Sequence, residues 1–453
     1  MNFSESEAYL LSLGNEVEAM KLRLGNIRTL LAELGDPQTR YIKVQVAGTN
    51  GKGSVCAFLN SICLEAGIKT GLYTSPHLIS ITERIKINGE DISEDEFARL
   101  ATIVREASES LVAQDRLETV PTYFEQVTAI GLLAFANAGV ELAILETGLG
   151  GRYDAVTAAN AEVAAITRID LDHQEYLGNT IEEIAAEKAA IIEDEFTNVV
   201  IGAQSEAALR IIRERCSEVG AVPVSERYSR WTVCSVDSEH VQVETTRHIF
   251  SKVCLGLKGK HQIENAETAI NIVQSLRYDC ALFMDDGYII DGLEKARHPG
   301  RLERIGQFLL DGAHNPSGTK ALRAYLDEFV KEPITMIFGA MRDKNISEIA
   351  EILWPKANRL ILTQPSNLRA MTAEELKVFA RAAGVDGRIL SSETVDQAIV
   401  SARALTPTDG VILVTGSLYL VGEVRSTLIG NLLGNEKTID CAGNNFDPTF
   451  VRG

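Results

Sequence analysis

Residues 44–54 read Val44-Gln45-Val46-Ala47-Gly48-Thr49-Asn50-Gly51-Lys52-Gly53-Ser54. An apolar strand runs into a glycine-rich turn, after which a helix is predicted over 54–66. Glycines let backbone N–H groups converge on a phosphate, the helix N-terminus adds partial positive charge, and Lys52 adds a full charge. The hydroxyl of Ser54 suits Mg²⁺. The pattern is not a strict P-loop, because Gly53 follows the lysine and Val46 occupies the first glycine position. An ordinary strand–turn–helix connection is therefore the alternative.

Short apolar strands alternate with helices on both sides of this turn, which indicates a parallel α/β sheet. The pattern predicts amphipathic or apolar helices over 22–34, 94–112 and 122–138, and strands over 42–47, 70–74, 84–87, 141–146, 162–167 and 198–201. Residues 231–257 differ from the rest, since they are rich in Val and Thr and predict a few short antiparallel strands.

A second α/β domain is predicted after Arg297-His298-Pro299-Gly300, because a Pro-Gly pair breaks regular structure and suits a hinge. Strands are expected over 308–310, 334–338, 359–363 and 411–414, with helices between them. The predicted fold is α/β: a P-loop parallel-sheet ATPase domain with a small antiparallel sheet over 1–297, and a smaller doubly wound, Rossmann-like domain over 298–435. The polar residues 436–453 are predicted to be a frayed tail.

The charge balance excludes some functions. The 453 residues include 44 Lys and Arg against 63 Asp and Glu, and a net charge of −19 is too acidic for a protein whose main ligand is nucleic acid. The most apolar stretch, 127–145, is interrupted by polar residues, so no membrane span is predicted. The acidic N-terminus has no secretory-signal pattern, and the seven scattered cysteines lack zinc-site spacing. We expect a cytoplasmic protein with reduced thiols.

Several polar side chains follow predicted strands, where open α/β sheets place their ligands. Glu146 ends one strand and precedes a glycine-rich turn, and His173 follows another, so the two are candidates to share a metal; a structural histidine is the alternative. Lys188 lies on an apolar helical stretch and by itself would extend its ammonium group to solvent. Asp311 closes a strand ahead of His314, and suits either a ribose or phosphate contact or a simple helix cap.

Taken in order, these motifs resemble the folylpolyglutamate synthase/dihydrofolate synthase family of Mur-type ATP-dependent ligases. The resemblance covers nearly the whole chain. The matching pieces are Gly48 to Ser54, Thr74-Ser75-Pro76-His77-Leu78, Thr122-Tyr123-Phe124-Glu125, Glu146 to Asp154, Leu171-Asp172-His173, Glu187-Lys188-Ala189, His261-Gln262 with Asn265-Ala266, Pro299-Gly300-Arg301, Asp311-Gly312-Ala313-His314-Asn315-Pro316, Asp343-Lys344 and Gly416-Ser417-Leu418-Tyr419.

The resemblance implies a role for each group of residues. The ATP contacts it implies are Gly48, Thr49, Asn50, Gly51, Lys52, Gly53, Ser54, Asn265, Arg301 and Asp311. The ligands it implies for Mg²⁺, with two ions expected, are Ser54, Ser75, Glu146, His173 and Lys188. The lysine is carbamylated in the family, which turns a cation into the oxygen ligand that Mg²⁺ prefers. The substrate contacts it implies are Thr122, Tyr123, Phe124, Glu125, Tyr153, Asp154 and Ala155.

The implied activity is an ATP-dependent amide ligation that adds L-glutamate to a folate or pteroate carboxylate through an acyl phosphate. Lys52, Lys188, His173 and His314 are the implied catalytic residues, and His314 is a candidate base for the attacking amine. Domain closure at the hinge is expected to assemble the site, and a monomer is expected. The alternatives are another Mur-type ligase acting on a cell-wall precursor, and a P-loop ATPase or kinase without ligase activity.

Overall fold

The computed structural model describes residues 1–14, 23–379 and 382–436. It divides into two compact units, Met1–Gly256 with Gln262–Arg297, and Leu257–His261 with His298–Gly453. Leu22 of the predicted first helix and most of the predicted tail lie outside the described residues. Residues 257–261 group with the second unit, where Lys260 pairs with Glu328 at 2.9 Å. The domain boundary after residue 297 stays a prediction.

The first unit is built on a seven-stranded sheet in the order β4-β3-β2-β5-β1-β6-β7. The five strands from β2 to β7 in that order are parallel, and β3 and β4 are antiparallel additions at one edge. The strands are β1 (Ile42–Ala47), β2 (Thr70–Tyr73), β3 (Ile85–Ile87), β4 (Glu90–Asp91), β5 (Leu142–Glu146), β6 (Val163–Ile166) and β7 (Asn198–Ile201).

Helices cover this sheet because most of its strand residues are buried and need apolar partners. One cluster joins Ala143 and Leu145 of β5 to α1, α2, α4 and α5, and another joins Ala164 and Ile166 of β6 to α7 and α8. The helices of this unit are α1 (Phe3–Ser12), α2 (Gly25–Glu33), α3 (Lys52–Glu65), α4 (Glu94–Ala113), α5 (Tyr123–Ala138), α6 (Gln174–Leu177), α7 (Ile181–Ala189), α8 (Glu206–Val219), α9 (Val224–Arg227), α10 (His261–Asp279, beginning at the boundary residue) and α11 (Asp286–Lys295).

A separate antiparallel sheet in the order β10-β9-β8 lies within residues 231–257, as predicted. Its strands are β8 (Thr232–Ser235), β9 (Val241–Glu244) and β10 (Ile249–Val253). The turn between β9 and β10 is tied to α11, since Thr245 Oγ1 donates to Asp286 Oδ2 at 2.7 Å and the ring of His248 lies 2.9 Å from the same oxygen. The other oxygen of Asp286 pairs with Arg277 of α10 at 2.9 Å, with both side chains buried.

The second unit contains a six-stranded sheet in the order β11-β12-β16-β13-β14-β15, parallel apart from the β11–β12 pair. Its strands are β11 (Glu303–Ile305), β12 (Phe308–Leu310), β13 (Ile334–Phe338), β14 (Arg359–Leu362), β15 (Ile389–Ser391) and β16 (Val411–Thr415). Its helices are α12 (Pro316–Phe329), α13 (Ile346–Leu353), α14 (Ala373–Lys377), α15 (Val395–Leu405) and α16 (Leu418–Glu436). Short 3₁₀ turns at Pro37–Arg40, Ile81–Arg84, Ala155–Ala159, Trp354–Lys356 and Asp386–Arg388 complete the two units.

The predicted fold class is confirmed, and most predicted strands match the observed ones to within one or two residues. Two differences have local causes. The helix predicted to begin at Ser54 begins at Lys52, because Gly51 has a φ of 92° and forms the cap. The three-residue strands β11 and β15 are not predicted from the sequence, because polar residues such as Arg304 and Ser391 interrupt the apolar run that marks β12, a strand of the same length. Across the described stretches of chain, no helix is both long and apolar enough to cross a lipid bilayer.

We expect Asp286→Ala to lower the free energy of unfolding by about 3 kcal/mol, because it leaves the buried guanidinium of Arg277 without its ion-pair partner. Burial raises the pKa of Asp286, but the hydrogen bonds from His248, Thr245 and Arg277 outweigh burial and bring the pKa below its usual value. The stabilisation is therefore present at neutral pH and is lost as the pH falls through that lowered pKa. Urea denaturation at pH 7 and at low pH measures both effects.

The matched control is Glu214→Ala, which breaks the exposed Arg210–Glu214 pair at 3.0 Å. That change is expected to alter stability by less than about 0.5 kcal/mol. Equal losses for the two variants would show that Asp286 does not anchor the small sheet.

Candidate active site

Three parallel strands carry the predicted site to one edge of the larger sheet. β1 lies between β5 and β6, with Val46 in register with Glu146 and Ala47 in register with Ile166. The glycine-rich turn after β1, the end of β5 and the segment after β6 therefore emerge side by side. This is the carboxyl edge, where open α/β sheets bind ligands.

The turn after β1 has a backbone that only glycine accommodates at two positions. A Cβ at Gly48 would lie 1.9 Å from Thr167 Oγ1, and a Cβ at Gly51 would lie 2.3 Å from Asn265 Oδ1. Both glycines also have positive φ values, which side chains disfavour. The turn is fixed from β6, since Thr49 N donates to the carbonyl of Arg168 at 2.9 Å and Thr167 Oγ1 donates to that of Asn50 at 2.8 Å. The helix that follows, α3, directs its free N–H groups toward this edge.

Two lysines meet at a single backbone oxygen of this turn. Lys52 Nζ donates to the carbonyl of Gly48 at 3.0 Å, and Lys188 Nζ from α7 donates to the same carbonyl at 2.9 Å. Burial, reinforced by the charge of Lys52, lowers the pKa of Lys188 to about 7, although Asp172 and Asp154 oppose the shift. A large fraction of Lys188 is therefore a neutral amine at physiological pH. The sequence-based expectation that Lys188 alone would reach solvent is wrong, because its side chain is buried.

Some of the residues proposed for metal binding lie at this same edge of the larger sheet. Ser75 N donates to Glu146 Oε2 at 3.2 Å, and Ser54 Oγ accepts from the Gln262 amide at 3.2 Å. His173 caps α6 with a φ of 50°, and its ring Nε2 is 3.9 Å from Asp172 Oδ2. In the described chain, no three His, Cys, Asp or Glu side chains cluster as a metal site by themselves. A cation here would therefore need hydroxyl and phosphate oxygens as well.

The residues proposed for the substrate form one connected region. Thr122 caps α5, and its N–H and hydroxyl both donate to Glu125 Oε2, so this carboxylate serves the helix end. The ring of Phe124 lies against Gly148, where a Cβ would approach it to 2.8 Å. Asp154 Oδ2 accepts from the N–H groups of Gly148 and Leu149, each at 2.9 Å. The neighbours of this residue differ: Tyr153 is exposed and Ala155 is buried.

Burial raises the pKa of Asp154 to about 6. The hydrogen bonds that Asp154 accepts from backbone N–H groups, and the charge of Lys52, oppose this rise. A carboxylate with three backbone donors and a nearby cation would otherwise have a low pKa. Burial of Asp154, which is 3% exposed, outweighs these favourable contacts.

Three of the proposed residues belong to the second unit and form a cluster of their own. Asp311 follows β12, and its two oxygens accept from the N–H groups of Leu302 and Ala313, each at 3.0 Å. Burial raises the pKa of Asp311, and the nearby Arg301 opposes that shift. His314 Nδ1 lies 2.8 Å from the carbonyl of Gly312, which identifies Nδ1 as the protonated nitrogen. The structure thus places Arg301, Asp311 and His314 at the carboxyl end of β12.

Sequence reasoning missed a buried arginine next to the substrate region. Arg84 Nε donates to His77 Nδ1 at 2.8 Å, and the guanidinium carbon lies 5.8 Å from the centre of the Tyr123 ring. Burial and the charge of Arg84 lower the pKa of His77 to about 3, so this histidine is neutral. The available signal was Arg84 itself, a charged residue at the first position of the strand predicted over 84–87.

Comparison with known protein families defines the class. The Mur ligase middle domain matches residues 46–273, and the glutamate ligase domain of Mur ligases matches residues 300–418. The first match covers half of the chain and contains the turn with Lys52, and the second contains Asp311. The fold and this edge of the sheet are therefore those of a Mur-type ligase.

Within that class, the chain belongs to the folylpolyglutamate synthase/dihydrofolate synthase family, which confirms the family predicted from the motifs. The Bacillus subtilis dihydrofolate synthase/folylpolyglutamate synthase is 34% identical over 419 residues, which cover 90% of this chain and 95% of that protein. A probable bifunctional folylpolyglutamate synthase/dihydropteroate synthase of Haloferax volcanii is 35% identical over 438 residues, covering 94% of this chain and 51% of that protein. The chain thus spans about half the length of this archaeal relative.

Solved structures agree in fold. Mycobacterium tuberculosis folylpolyglutamate synthase complexed with ADP has a TM-score of 0.86 at 29% identity, with 94% of this chain and 98% of that chain covered. Escherichia coli FolC in complex with DHPP and ADP gives 0.83 at 28%, covering 95% and 99%. The bifunctional Yersinia pestis enzyme complexed with AMPPNP and Mn ion gives 0.80 at 27%, covering 95% and 98%.

We expect Gly51→Ala to weaken ADP binding by about 10–100-fold, since a backbone strain of about 1–3 kcal/mol falls on the phosphate-binding turn. Isothermal titration calorimetry with Mg²⁺ and ADP measures this loss. Gly139→Ala is the matched control, because Gly139 has a φ of 62° but open space around its Cβ. The control is expected to lose about 1 kcal/mol of stability at unchanged ADP affinity. Wild-type affinity in the Gly51 variant would remove the turn from the nucleotide site.

Proposed function

We propose that this protein is an ATP-dependent ligase that joins L-glutamate to the carboxylate of a folate or a pteroate. The observation that carries the proposal is the meeting of three elements at one sheet edge. The glycine-rich turn holds Lys52 and Lys188 at the Gly48 carbonyl, and Gly151 of the substrate region packs on α7, where a Cβ would lie 3.0 Å from the carbonyl of Lys188. Nucleotide and acceptor carboxylate would meet there.

The proposed reaction proceeds in two steps. A carboxylate oxygen of the pterin substrate attacks the γ-phosphorus of ATP, which releases ADP and leaves an acyl phosphate. The amine of glutamate then attacks the acyl carbon, inorganic phosphate departs, and the amine proton passes to a base. Positioning and charge neutralisation are the protein's main tasks in such a transfer. Lys52 and the N-terminus of α3 would offset the negative charge of the phosphates. Asn265, which lies beside Gly51 of the turn, would also contact ATP.

Residues of the second unit complete the proposed assignments. Arg301 and Asp311 would contact ATP, and His314 would accept the amine proton. His314 Nδ1 is already engaged by the Gly312 carbonyl, so the proton would be taken by Nε2. The proposed domain boundaries are 1–297 for the ATP-binding domain and 298–435 for the glutamate-ligase domain.

The residues at the sheet edge fit a divalent cation. Ser75 Oγ is buried and has no hydrogen-bond partner among the described residues, so an oxygen lone pair is available. Ser54 and Glu146 would hold one Mg²⁺. Ser75, His173 and a carbamylated Lys188 would join Glu146 around the proposed pair of ions. Bound Mg²⁺ would neutralise charge on the phosphoryl oxygens. The Mn ion in the Yersinia pestis complex supports a divalent cation in this family.

Carbamylation of Lys188 requires a neutral amine, because only that form attacks CO₂. The lowered pKa of Lys188, about 7, supplies it. With ¹³C-bicarbonate, we expect a carbamate carbon resonance that grows as the pH rises from 6 to 8 and the amine loses its proton. Lys188→Ala is expected to abolish both this resonance and ligation, and added bicarbonate should not restore either.

The matched control for that experiment is Lys43→Ala. Lys43 is also buried, but it is paired with Glu162 at 3.0 Å. The carbamate resonance should persist in this variant. A resonance retained in Lys188→Ala, or full ligation by it, would contradict the assignment.

The proposed acceptor range includes both dihydropteroate and tetrahydrofolate, supported by the DHPP complex of the Escherichia coli relative. Phosphate release from ATP tests it, with Mg²⁺, L-glutamate and either pterin. We expect release that requires both glutamate and a pterin. Release with tetrahydrofolate alone would restrict the enzyme to polyglutamylation.

The same assay separates the alternative functions. A P-loop ATPase or kinase would release phosphate or consume ATP without glutamate. A ligase for cell-wall precursors would respond to nucleotide-linked peptidoglycan precursors and not to pterins. Either result would overturn the proposal.

We also propose that the enzyme acts in the cytoplasm, which free thiols at Cys56, Cys63 and Cys216 support. The monomeric state and the expected absence of nucleic-acid and membrane partners stay predictions.

A further inference from the structure

A buried polar chain of contacts begins on β1, three residues before Gly48. The amide nitrogen of Gln45 donates to Thr157 Oγ1 at 2.8 Å and to Thr147 Oγ1 at 3.1 Å. Thr157 Oγ1 in turn donates to the carbonyl of Gly151 at 2.8 Å. The three side chains are each at most 2% exposed. Gln45, on the strand that precedes the glycine-rich turn, therefore contacts the segment 147–157 at Thr147 and Thr157, and through Thr157 it is linked to Gly151.

That segment contains the residues proposed to line the pterin. Asp154 belongs to this segment and stabilises it, because its carboxylate accepts hydrogen bonds from the N–H groups of Gly148, Leu149 and Val156. From outside, Gly151 rests on α7, with a Cβ there only 2.7 Å from the carbonyl of Glu187. The segment cannot shift without breaking buried hydrogen bonds, and each buried donor or acceptor left unpaired disfavours the shifted arrangement.

We propose that Gln45 is a positioning residue for the pterin-side segment 147–157, and that it fixes this segment relative to the nucleotide turn on the same strand. Gln45 acts through Thr157 and Thr147 and does not itself touch the substrate. The inference rests on the proposed function for the identity of the substrate, but the hydrogen-bond chain stands independently of it.

The geometry explains why glutamine suits this position. Its amide group carries two N–H donors at a fixed angle, and the two threonine hydroxyls accept one each. Methionine has a similar length and no donor, so Gln45→Met removes the two hydrogen bonds with little change in volume. Thr157→Val keeps the shape of the side chain and removes its hydroxyl. It therefore breaks the hydrogen bond to the Gly151 carbonyl and the one from Gln45.

The experiment compares steady-state kinetics of the wild type, Gln45→Met, Thr157→Val and the double variant. We expect the KM for the pterin to rise about tenfold in each single variant, because each change removes two hydrogen bonds that fix the segment. The KM for ATP should stay within twofold. The double variant should lose less than the sum of the two single effects, because both single changes remove the Gln45–Thr157 hydrogen bond.

Gln274→Met is the matched control. Gln274 is also buried and donates to the carbonyl of Ser229 at 2.8 Å, on the part of α10 that lies C-terminal to Asn265 and away from the segment 147–157 in the chain. It is expected to lower stability without changing the KM for the pterin. A pterin KM that rises no more in Gln45→Met than in Gln274→Met, or additive effects of the Gln45 and Thr157 changes, would overturn the proposal.

Amide hydrogen exchange gives a readout that does not depend on activity. Gln45→Met and Thr157→Val should speed exchange across residues 147–157, and Gln274→Met should not. Unchanged exchange in both site variants would overturn the positioning role. If the wild type ligates neither pterin, the proposed function fails, and the exchange result alone decides whether Gln45 fixes the segment.

Discussion

The position of β1 between β5 and β6 is the constraint on which the active site depends. Parallel pairing sets Val46 beside Glu146 and Ala47 beside Ile166, so three loops leave the sheet at one edge. The glycine-rich turn, Glu146 and the segment leading to His173 lie at one edge for that reason. A one-residue slip of β5 would move Glu146 along the sheet and would turn the side chains of β5 to the opposite face.

Burial determines the chemistry at this edge. The protein carries a net charge of −19, and the proposed substrates are anions, so the site has to be locally positive. Lys52 and the N-terminus of α3 supply positive charge, while the dry surroundings of Lys188 lower its pKa to about 7. A buried lysine beside the charge of half-buried Lys52 is costly as a cation. That cost favours the neutral amine that carbamylation requires.

The same dry environment orders the acceptor side. Asp154 and Gln45 both place polar groups where water is excluded, and each group is matched by backbone or hydroxyl partners. Such fully satisfied buried contacts define a unique arrangement, because alternatives leave donors or acceptors unpaired. The glycine-rich turn and the segment 147–157 are consequently both held through β1.

Local pattern by itself determined the fold class, most strands and the family, because alternation of apolar strands and helices, turn glycines such as Gly51 and motif order are properties of adjacent residues. It did not determine the burial of Lys188, the His77–Arg84 hydrogen bond or the hydrogen-bond partners of Gln45. Lys188 contacts Gly48, which is 140 positions away, and Gln45 contacts Thr157, which is 112 positions away. The pairing of His77 with Arg84 depends on how the chain packs around these two side chains. The tertiary structure decided them, because pKa values and hydrogen-bond partners follow from what surrounds a side chain in space.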